Sequence, residues 1–319
     1  MRESRTFAER TRVLKSDEAI KRYFLVYEGS DTENIYFDAV KSFQEDIGID
    51  PLIELIPIIR SFSEEGWSNP KKILDRVVEN LRESREHSIS YETLLNRIMD
   101  YLYEIKVLTN SKVMALSVWK TMQCVCVEKI GKSLDDMVEN VENICNILVN
   151  AIIEEYEIKN IVGDISEIIK DSGLTYSEGF DKICFIVDRD KDSFLSRPDN
   201  NQYKYVLDKC REMGFILCVT NPCFEFWLLL HFDEVFSLEN EKLLENPKVT
   251  AKRRYTENAL RKIYPRYSKS SYNAEVLVKN IDKAIENEKR FCEDVEKLEC
   301  SVGSNLGRLI TLMRIKKTI

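Results

Sequence analysis

Carboxylates that could bind a metal ion follow a short apolar segment in the second half of the chain. Residues 181–187 (DKICFIV) are followed by Asp188, Asp190 and Asp192 at alternate positions. A short run of β-branched and aromatic residues predicts a buried strand, whose carboxyl end would carry these acids. Ligand sites in open α/β sheets lie just outside that edge, and Mg²⁺ binds a few carboxylates while keeping several waters. Because Asp is also common in turns, a solvated turn is the alternative interpretation.

A second apolar segment ends in a carboxylate in the same way. Residues 23–27 (YFLVY) predict a strand that stops at Glu28 and Gly29. If the two strands are neighbours in one sheet, Glu28 lies beside the acids that follow residue 187. The repeated pattern favours a site for Mg²⁺ (or Mn²⁺) over two unrelated turns.

The residues after this first strand predict how the sheet continues. Ser30 and Glu33 fit the capping box S-x-x-E, which predicts a helix to about Ile47. Residues 52–59 predict the next strand, near an edge because Pro57 interrupts it. A right-handed strand–helix–strand connection makes the two strands parallel. Glu33 is therefore either a capping residue or a further metal ligand.

Composition excludes several classes of protein. The 319 residues carry a net charge of -8, so the chain is not a generally basic nucleic-acid binder, and any polyanion would need a local patch. The nine cysteines form no CxxC pair and no metal-ligand spacing, as in reduced cytosolic proteins. No apolar run approaches the ~20 residues that cross a bilayer, so we expect a cytoplasmic protein without a membrane partner.

The middle of the chain has a helical pattern throughout. Asn69 and Pro70 predict an N-cap and the first turn of a helix to about Arg85. Apolar residues at i, i+3 and i+4 predict further helices over Tyr91–Leu108, Ser111–Ile130, Leu134–Tyr156 and Asp164–Lys170. We interpret residues 86–172 as a helical subdomain inserted into an α/β fold. Its surface would serve for docking a partner or for self-association as a homodimer.

The sheet is predicted to resume after this helical stretch. A strand over residues 215–219 follows a helix over Asn201–Met213, whose inner face is predicted to contain Tyr205, Val206, Leu207 and Cys210.

A helix start follows this strand. Asn221 as N-cap and Pro222 in the first turn predict a buried helix that continues to about Phe232. Glu225 in its first turn is either a partner of the helix dipole or an outer metal ligand. His231 is one of only two histidines, and we expect a structural position for it rather than a catalytic one.

The segment from Asn246 onward combines basic and aromatic residues. Its cations are Lys252, Arg253, Arg254, Arg261, Lys262, Arg266 and Lys269, interleaved with Tyr255, Tyr264, Tyr267 and Tyr272. Cations that neutralise phosphates, beside aromatics on which bases stack, predict a nucleic-acid surface. The alternative is an ordinary charged helix surface with half-buried tyrosines. Helices are predicted over Asn273–Leu298 and Leu306–Ile315.

Three of these segments together resemble the RloB-like family. They are Glu28-Gly29 with Thr32-Glu33 and Tyr36-Phe37, the Asp188-Arg-Asp190 ending, and Asn221-Pro-x-Phe-Glu225-x-Trp227-Leu-Leu-Leu-His231-Phe232. RloB-like proteins are counted among those with a Toprim-type domain, the metal-binding α/β module of topoisomerases, bacterial primases and OLD-family nucleases. The resemblance covers roughly residues 22–83 and 175–315 and leaves the helical insertion unmatched.

The resemblance implies a fold and a set of site residues. The fold is α/β, with a Toprim-like parallel sheet flanked by helices, a large inserted α-helical subdomain and a helical C-terminal region. Glu28 corresponds to the acid of the Toprim domain, and Asp188 and Asp190 correspond to its Asp-x-Asp pair. Gly29, Asn221, Trp227 and His231 are the supporting residues. The predicted boundaries are 1–21 (arm), 22–85 and 173–245 (core), 86–172 (insertion) and 246–319 (basic and aromatic region).

The resemblance and the residue chemistry agree on a Mg²⁺-dependent nuclease that acts on RNA or DNA. Asp188 and Asp190 would be the primary ligands, and Glu28 would be either a ligand of a second metal ion or the general acid/base. The outer candidates are Glu33, Asp192 and Glu225.

The family occurs in bacterial abortive-infection operons, which implies antiphage defence by a toxic effector. An ABC- or OLD-type ATPase from the same operon is the implied partner, since this chain has no P-loop. Cys126 stands where the motif ending in Gly131-Lys132-Ser133 requires glycine. The alternatives are a non-catalytic Toprim adaptor for nucleic acid or an ATPase, and a strand-transfer or primase activity. The absence of a catalytic-tyrosine domain and of a zinc ribbon disfavours the last of these.

Overall fold

The computed structural model of the protein describes residues 2–3, 20–29, 31–59, 69–86, 89–104, 107–108, 112–156, 176–190, 194, 196–197, 200–251 and 253–315. Contacts divide the chain into two compact units. The sheet unit comprises Phe7–Pro57, Ser68–Leu74 and Ser177–Ile319, and the helical unit comprises Met1–Thr6, Ile58–Trp67 and Asp75–Tyr176. Most of the predicted N-terminal arm and the predicted helix at Asp164–Lys170 lie outside the described residues.

Strands and helices alternate in the part of the chain that carries the candidate acids. The strands are β1 (Arg2–Glu3), β2 (Lys21–Tyr27), β3 (Ile53–Ile59), β4 (Lys182–Asp188), β5 (Ser196–Arg197), β6 (Asn200–Asn201), β7 (Ile216–Asn221) and β8 (Gly303–Ser304). The helices are α1 (Thr32–Ser42), α2 (Pro70–Glu86), α3 (Tyr91–Glu104), α4 (Lys112–Cys124), α5 (Val141–Tyr156), α6 (Gln202–Met213), α7 (Phe224–Leu229), α8 (Asn240–Glu245), α9 (Tyr255–Ile263), α10 (Ala274–Val278), α11 (Ile281–Glu288) and α12 (Leu306–Met313).

Three parallel strands form the centre of the sheet unit. β2 pairs with β4 from Tyr23 opposite Lys182 to Tyr27 opposite Ile186. β4 in turn pairs with β7 as far as Asp188, which lies opposite Thr220. The three strands are buried along nearly their whole length and are rich in β-branched and aromatic residues, as in parallel sheets covered on both faces. Because the strands are parallel, their carboxyl ends meet at one edge.

The outer strands complete a mixed, mostly parallel sheet. β3 lies beside β2, where the Lys21 N–H donates to the Leu52 carbonyl at 2.8 Å and Arg22 pairs with Glu54 at 3.8 Å. These two contacts join the beginnings of both strands, so β2 and β3 run in the same direction. β8 pairs antiparallel with the end of β7. The predicted α/β class, with a mostly parallel sheet flanked by helices, is therefore confirmed.

Helix α7 forms the centre of the core beside the sheet. All six of its residues are buried, as predicted from a segment that is apolar on nearly every side. Tyr36 of α1 packs edge-on against Phe224 and Trp227, with ring centroids 5.7 and 6.2 Å apart. Packing between α1 and α7 therefore fixes the two helices that begin at the carboxyl edge of the sheet.

The helical unit has its own apolar core. Leu94 of α3, Val118 of α4 and Leu148 of α5 are fully buried in it. A π-helix, Val125–Ile130, continues α4 and ends at Gly131, whose φ of 74° is left-handed. Gly131 therefore ends a helix and does not belong to a phosphate loop. β1 pairs antiparallel with the last two residues of β3.

Several predicted helices have limits that differ from those observed. α1 ends at Ser42 rather than near Ile47, because turns occupy residues 43–48. α5 begins at Val141 rather than Leu134, since the Ser133 N–H donates to the Asp136 carboxylate in a turn at 2.7 Å. The segment predicted as one helix from Asn273 to Leu298 instead contains the two short helices α10 and α11.

The prediction that Tyr205 lies on the inner face of α6 was wrong. Tyr203 is buried and lies three and four residues before the buried Val206 and Leu207, so these three share one face. Tyr205 is exposed and contacts the ammonium of Lys71, 4.6 Å from its ring centroid.

The predicted N-cap at Asn221 was also wrong. Asn221 is the last residue of β7, and its peptide bond to Pro222 is cis, so the helix begins two residues later with Cys223 as N-cap. The Asn221 amide donates instead to the carbonyl of Leu298 at 2.6 Å. Asn305 supports the same strand, because its side chain accepts the Val219 N–H and donates to the Leu217 carbonyl.

Among the described residues, no helix combines the length and the apolar character that a bilayer crossing requires.

A buried carboxyl group should make the stability of the sheet unit depend on pH. Glu288 of α11 is fully buried and accepts the N–H of Gly307 at 3.1 Å, and burial raises its pKa to about 8. Its ionisation is costlier in the folded protein than in the unfolded chain, so stability falls as pH rises towards and through 8. From pH 6 to pH 9 the free energy of unfolding should fall by about 3 kcal/mol, from ~1.4 kcal/mol per pKa unit.

Urea unfolding of the wild type and of Glu288→Gln at both pH values measures this loss of stability. The account of Glu288 fails if the variant and the wild type lose equal stability over this range.

Candidate metal and phosphate site

A carboxylate joins the carboxyl ends of β2 and β4. Glu28, the residue after β2, accepts the backbone N–H of Asp188, with 3.0 Å between Oε2 and N. The N–H of Glu28 itself donates to the Ile186 carbonyl at 3.2 Å. The predicted acids therefore lie on neighbouring strands, and the Glu28 carboxylate contacts the residue that carries the first of the two aspartates.

Glu33 lies next to this contact at the beginning of α1. It is buried and accepts the N–H of Gly29, with 3.2 Å between Oε1 and N. A Cβ atom at Gly29 would collide with the Glu33 carboxylate, so a side chain larger than glycine is excluded without rearrangement. The predicted capping box was wrong, because the N-cap of α1 is Asp31 and no side-chain hydrogen bond caps the helix; Glu33 instead binds the N–H of Gly29 before the helix. Ser30, its predicted capping-box partner, lies outside the described residues.

Glu225 is a further acid at the same edge. It is buried in the first turn of α7, where its Oε1 accepts hydrogen bonds from Tyr267 Oη at 3.1 Å and Lys269 Nζ at 2.9 Å. Burial by itself would raise the pKa of Glu225, but the charge of Lys269 and the hydrogen bonds to the carboxylate together lower it. Burial and the Glu225 carboxylate keep the Tyr267 hydroxyl protonated by raising its pKa, so it stays a donor.

The acids at this edge repel one another. Burial and then the carboxylates of Glu28, Glu33 and Glu225 raise the pKa of Asp188 well above its usual value, and Lys269 only partly opposes this. The pKa of Glu33 is raised by burial first and by Glu225 next. A cation bound at the edge would relieve this repulsion.

The acidic edge forms part of a cleft of about 1160 Å³. Six acids line it, namely Glu28, Asp188, Asp190, Glu225, Glu245 and Glu257, together with the cations Arg189, Lys248, Arg253, Arg254, Arg261 and Lys269. A smaller adjoining pocket of about 280 Å³ is lined by Glu28, Glu33, Asp188, Glu225 and Lys269. The sheet unit therefore places carboxylates and cations around one space.

The predicted cations divide into two groups. Arg253, Arg254, Arg261 and Lys269 line the cleft, whereas Lys262 and Arg266 are exposed and do not line it. Lys248 was not predicted, because it is an isolated cation before the basic run. Lys252 and the predicted ligand Asp192 lie outside the described residues.

Arg189, between the two aspartates, is a second residue that the sequence reasoning missed. Its guanidinium is buried and donates to the carbonyls of Phe194 at 2.8 Å and Glu299 at 3.1 Å. Its backbone N–H donates to the Thr220 carbonyl of β7. Arg189 thus anchors the backbone between Asp188 and Asp190.

The tyrosines of the C-terminal segment pack into the core. Tyr267 is buried, and the Tyr272 hydroxyl donates to the Thr32 carbonyl at 2.7 Å. Tyr255 and Tyr264 are partly buried against the same core. Of the two interpretations of these aromatics, the half-buried helix surface is the one that the structure supports.

His231 has a structural position. Its Nδ1 faces the carbonyls of Trp227 and Leu228 at 3.1 and 3.2 Å, and only a protonated Nδ1 can donate to them. Burial lowers the pKa of His231 to about 4, so the ring is neutral at pH 7 and Nε2 accepts the Tyr36 hydroxyl at 3.0 Å. Both ring nitrogens are therefore used inside the core.

The donors at the edge are compatible with a magnesium ion, although they form no closed cage. Within the described residues, no group of three His, Cys, Asp or Glu side chains converges closely enough to hold a metal ion. Mg²⁺, however, commonly takes one or two protein carboxylates and completes its shell with water and substrate phosphate. The paired Glu28 and Asp188 supply hard oxygen donors of this kind, and the crowding of negative charge favours a cation.

Removing the cation from this cluster should destabilise the protein at neutral and alkaline pH. We expect Lys269→Met to lower Tm by several degrees at pH 8, because Glu225 and Asp188 lose their common counter-ion. At pH 5 the loss should be smaller, since carboxyl groups with raised pKa are then more protonated. Lys262→Met, on the exposed side of α9, is the matched control in thermal unfolding. Equal Tm losses in both variants would contradict the coupling of Lys269 to the acids.

Comparison with known protein families identifies the chain. Residues 23–313 match the family described as RloB-like protein, so the match includes the helical stretch that the sequence motifs had left unassigned. Searches among curated proteins and among solved structures gave no match. Since the family match covers most of the chain, the protein belongs to the RloB-like family.

Proposed function

We propose that this protein is a Mg²⁺- or Mn²⁺-dependent nuclease with a Toprim-type core, which hydrolyses phosphodiester bonds of RNA or DNA. The observation that carries the proposal is the contact between Glu28 and Asp188 across neighbouring parallel strands, in a cleft that also contains cations. Carboxylates suit a metal ion and cations suit phosphates, and phosphodiester hydrolysis needs both.

Each group in the cleft has a place in this reaction. Glu28 and Asp188 would hold the metal ion, with Asp190 beside them. When bound, the metal ion supplies stabilisation of negative charge on the attacking and leaving oxygens. Glu225 positions Lys269 near the acids through an ion pair of 2.9 Å, and the Lys269 ammonium would bind a phosphate oxygen.

The biological setting is part of the proposal. Membership of the RloB-like family supports an antiphage effector whose toxicity is controlled by an ABC- or OLD-type ATPase from the same operon. The helical unit offers the docking surface in this proposal. Co-purification of the operon ATPase with the full chain tests this partnership. An ATPase that binds the chain but leaves its nuclease activity unchanged would contradict the proposed control.

A non-catalytic adaptor is the second candidate, and two observations favour it. The Lys269 ammonium already neutralises part of the acidic cluster, and no three donors converge within the described residues. In an adaptor the acids would stabilise the fold, and the cleft would bind nucleic acid without cleaving it. Cleavage by the purified protein separates the two candidates.

Neutral replacements at the strand ends should abolish cleavage without unfolding the chain. Asp188→Asn and Glu28→Gln remove the ligand charges but keep the side-chain shapes, so we expect neither variant to cleave total RNA or plasmid DNA with Mn²⁺. The wild type should likewise not cleave these substrates in EDTA. Asp208→Asn, at an exposed acid of α6, should cleave like the wild type. Activity should be measured with and without the operon ATPase. Wild-type cleavage by the folded Asp188→Asn/Glu28→Gln double variant would refute the assignment.

A further inference from the structure

Two arginines of the cleft are held by a single carboxylate. Glu257 of α9 is mostly buried, and its Oε1 lies 3.2 Å from Nε of Arg261 and 3.8 Å from Nε of Arg253. All three residues line the 1160 Å³ cleft. Arg261 lies one turn after Glu257 on α9, and Arg253 precedes the N-cap Arg254, so one carboxylate contacts a guanidinium from the helix and another from the segment before it.

The shared carboxylate leaves both arginines able to bind an anion. Glu257 carries one negative charge against two positive charges, so the trio has a net positive charge. Among the described residues, Glu257 is the side-chain partner that Arg253 and Arg261 share, and it faces only their Nε groups. A guanidinium has five N–H donors in a planar fork that matches two phosphate oxygens. The terminal N–H groups therefore remain for a ligand.

Neighbouring residues fix this arrangement. Asn246 follows α8 in a left-handed conformation (φ 43°), and its side-chain oxygen accepts the N–H of Thr256 at 3.0 Å. The Arg254 guanidinium donates to the Asn246 carbonyl at 3.2 Å, and the Arg253 N–H donates to the Thr250 hydroxyl at 3.0 Å. The start of α9 is thus tied to the preceding turn, so the arginine pair is built into the wall of the cleft.

We propose that Arg253 and Arg261, positioned by Glu257, form a phosphate clamp for a polynucleotide backbone, separate from the acidic edge. This inference rests on the proposed function, because it takes the acidic edge as the place of the scissile phosphate. A ligand that occupies both places carries at least two phosphates along one chain. The substrate class is therefore an extended polynucleotide rather than a mononucleotide ester.

Binding without metal tests the clamp separately from cleavage. The full chain in EDTA would be titrated into fluorescein-labelled dT2 and dT12 and their RNA counterparts at several salt concentrations. Wild-type affinity should rise with length, and Arg253→Ala/Arg261→Ala should weaken dT12 or U12 binding about tenfold or more. The slope of log K against log salt should fall by about 1 to 2.

Two further variants distinguish a clamp from diffuse charge. Arg253→Lys/Arg261→Lys keeps both charges but removes the planar fork, so most of the affinity should be lost. Lys262→Ala removes an exposed cation of the same helix that does not line the cleft, and it should bind within about twofold of the wild type. Circular dichroism confirms folding of each variant.

The outcomes are distinguishable. Wild-type affinity of the lysine double variant would overturn the clamp, and so would a loss in Lys262→Ala as large as that in the alanine double variant. If binding follows the predicted pattern but no condition gives cleavage, the clamp stands and the nuclease proposal fails.

Discussion

The structure depends on the convergence of like charges at one edge of a parallel sheet. Glu28 ends one strand, accepts the N–H of Asp188 on the next, and so brings two acids together where burial and neighbouring carboxylates raise the pKa of Asp188. Such an arrangement lowers stability unless a cation is present. The protein supplies one cation itself, Lys269, through an ion pair with Glu225. The proposed function follows from assigning a divalent metal ion to neutralise the negative charge that Lys269 leaves uncompensated.

The surrounding elements hold this edge in place through contacts made away from it. Tyr36 and Trp227 pack α1 against α7, and His231 fixes Tyr36 by a hydrogen bond inside the core. The backbone beyond β4 is tied down by the buried guanidinium of Arg189. None of these groups carries a negative charge, so they position the charged edge without adding to its repulsion. A rigid frame of this kind is what a metal or phosphate site requires.

The sequence predicted best the features that depend on local patterns. Apolar runs that end in acids predicted β2 and β4, and their parallel pairing then brought Glu28 to Asp188. The helix start predicted at Asn221-Pro222 was wrong, because local cap signals cannot reveal that Asn221 still belongs to β7, where it pairs with Gly303 of β8. Lys248 and the Glu257 bridge could not be predicted, since they depend on how α8 and α9 pack around the cleft. Helix ends were displaced where a side chain such as Asp136 formed a competing turn.

In the proposed function, the ends of β2 and β4 share one divalent metal ion. Anomalous diffraction from crystals of the full chain soaked with Mn²⁺ measures this directly. We expect a manganese peak within coordinating distance of carboxylate oxygens of both Glu28 and Asp188, with Asp190 nearby and water or phosphate completing the shell. Absence of manganese from this edge at a saturating concentration, with Lys269 still paired to Glu225, would contradict it.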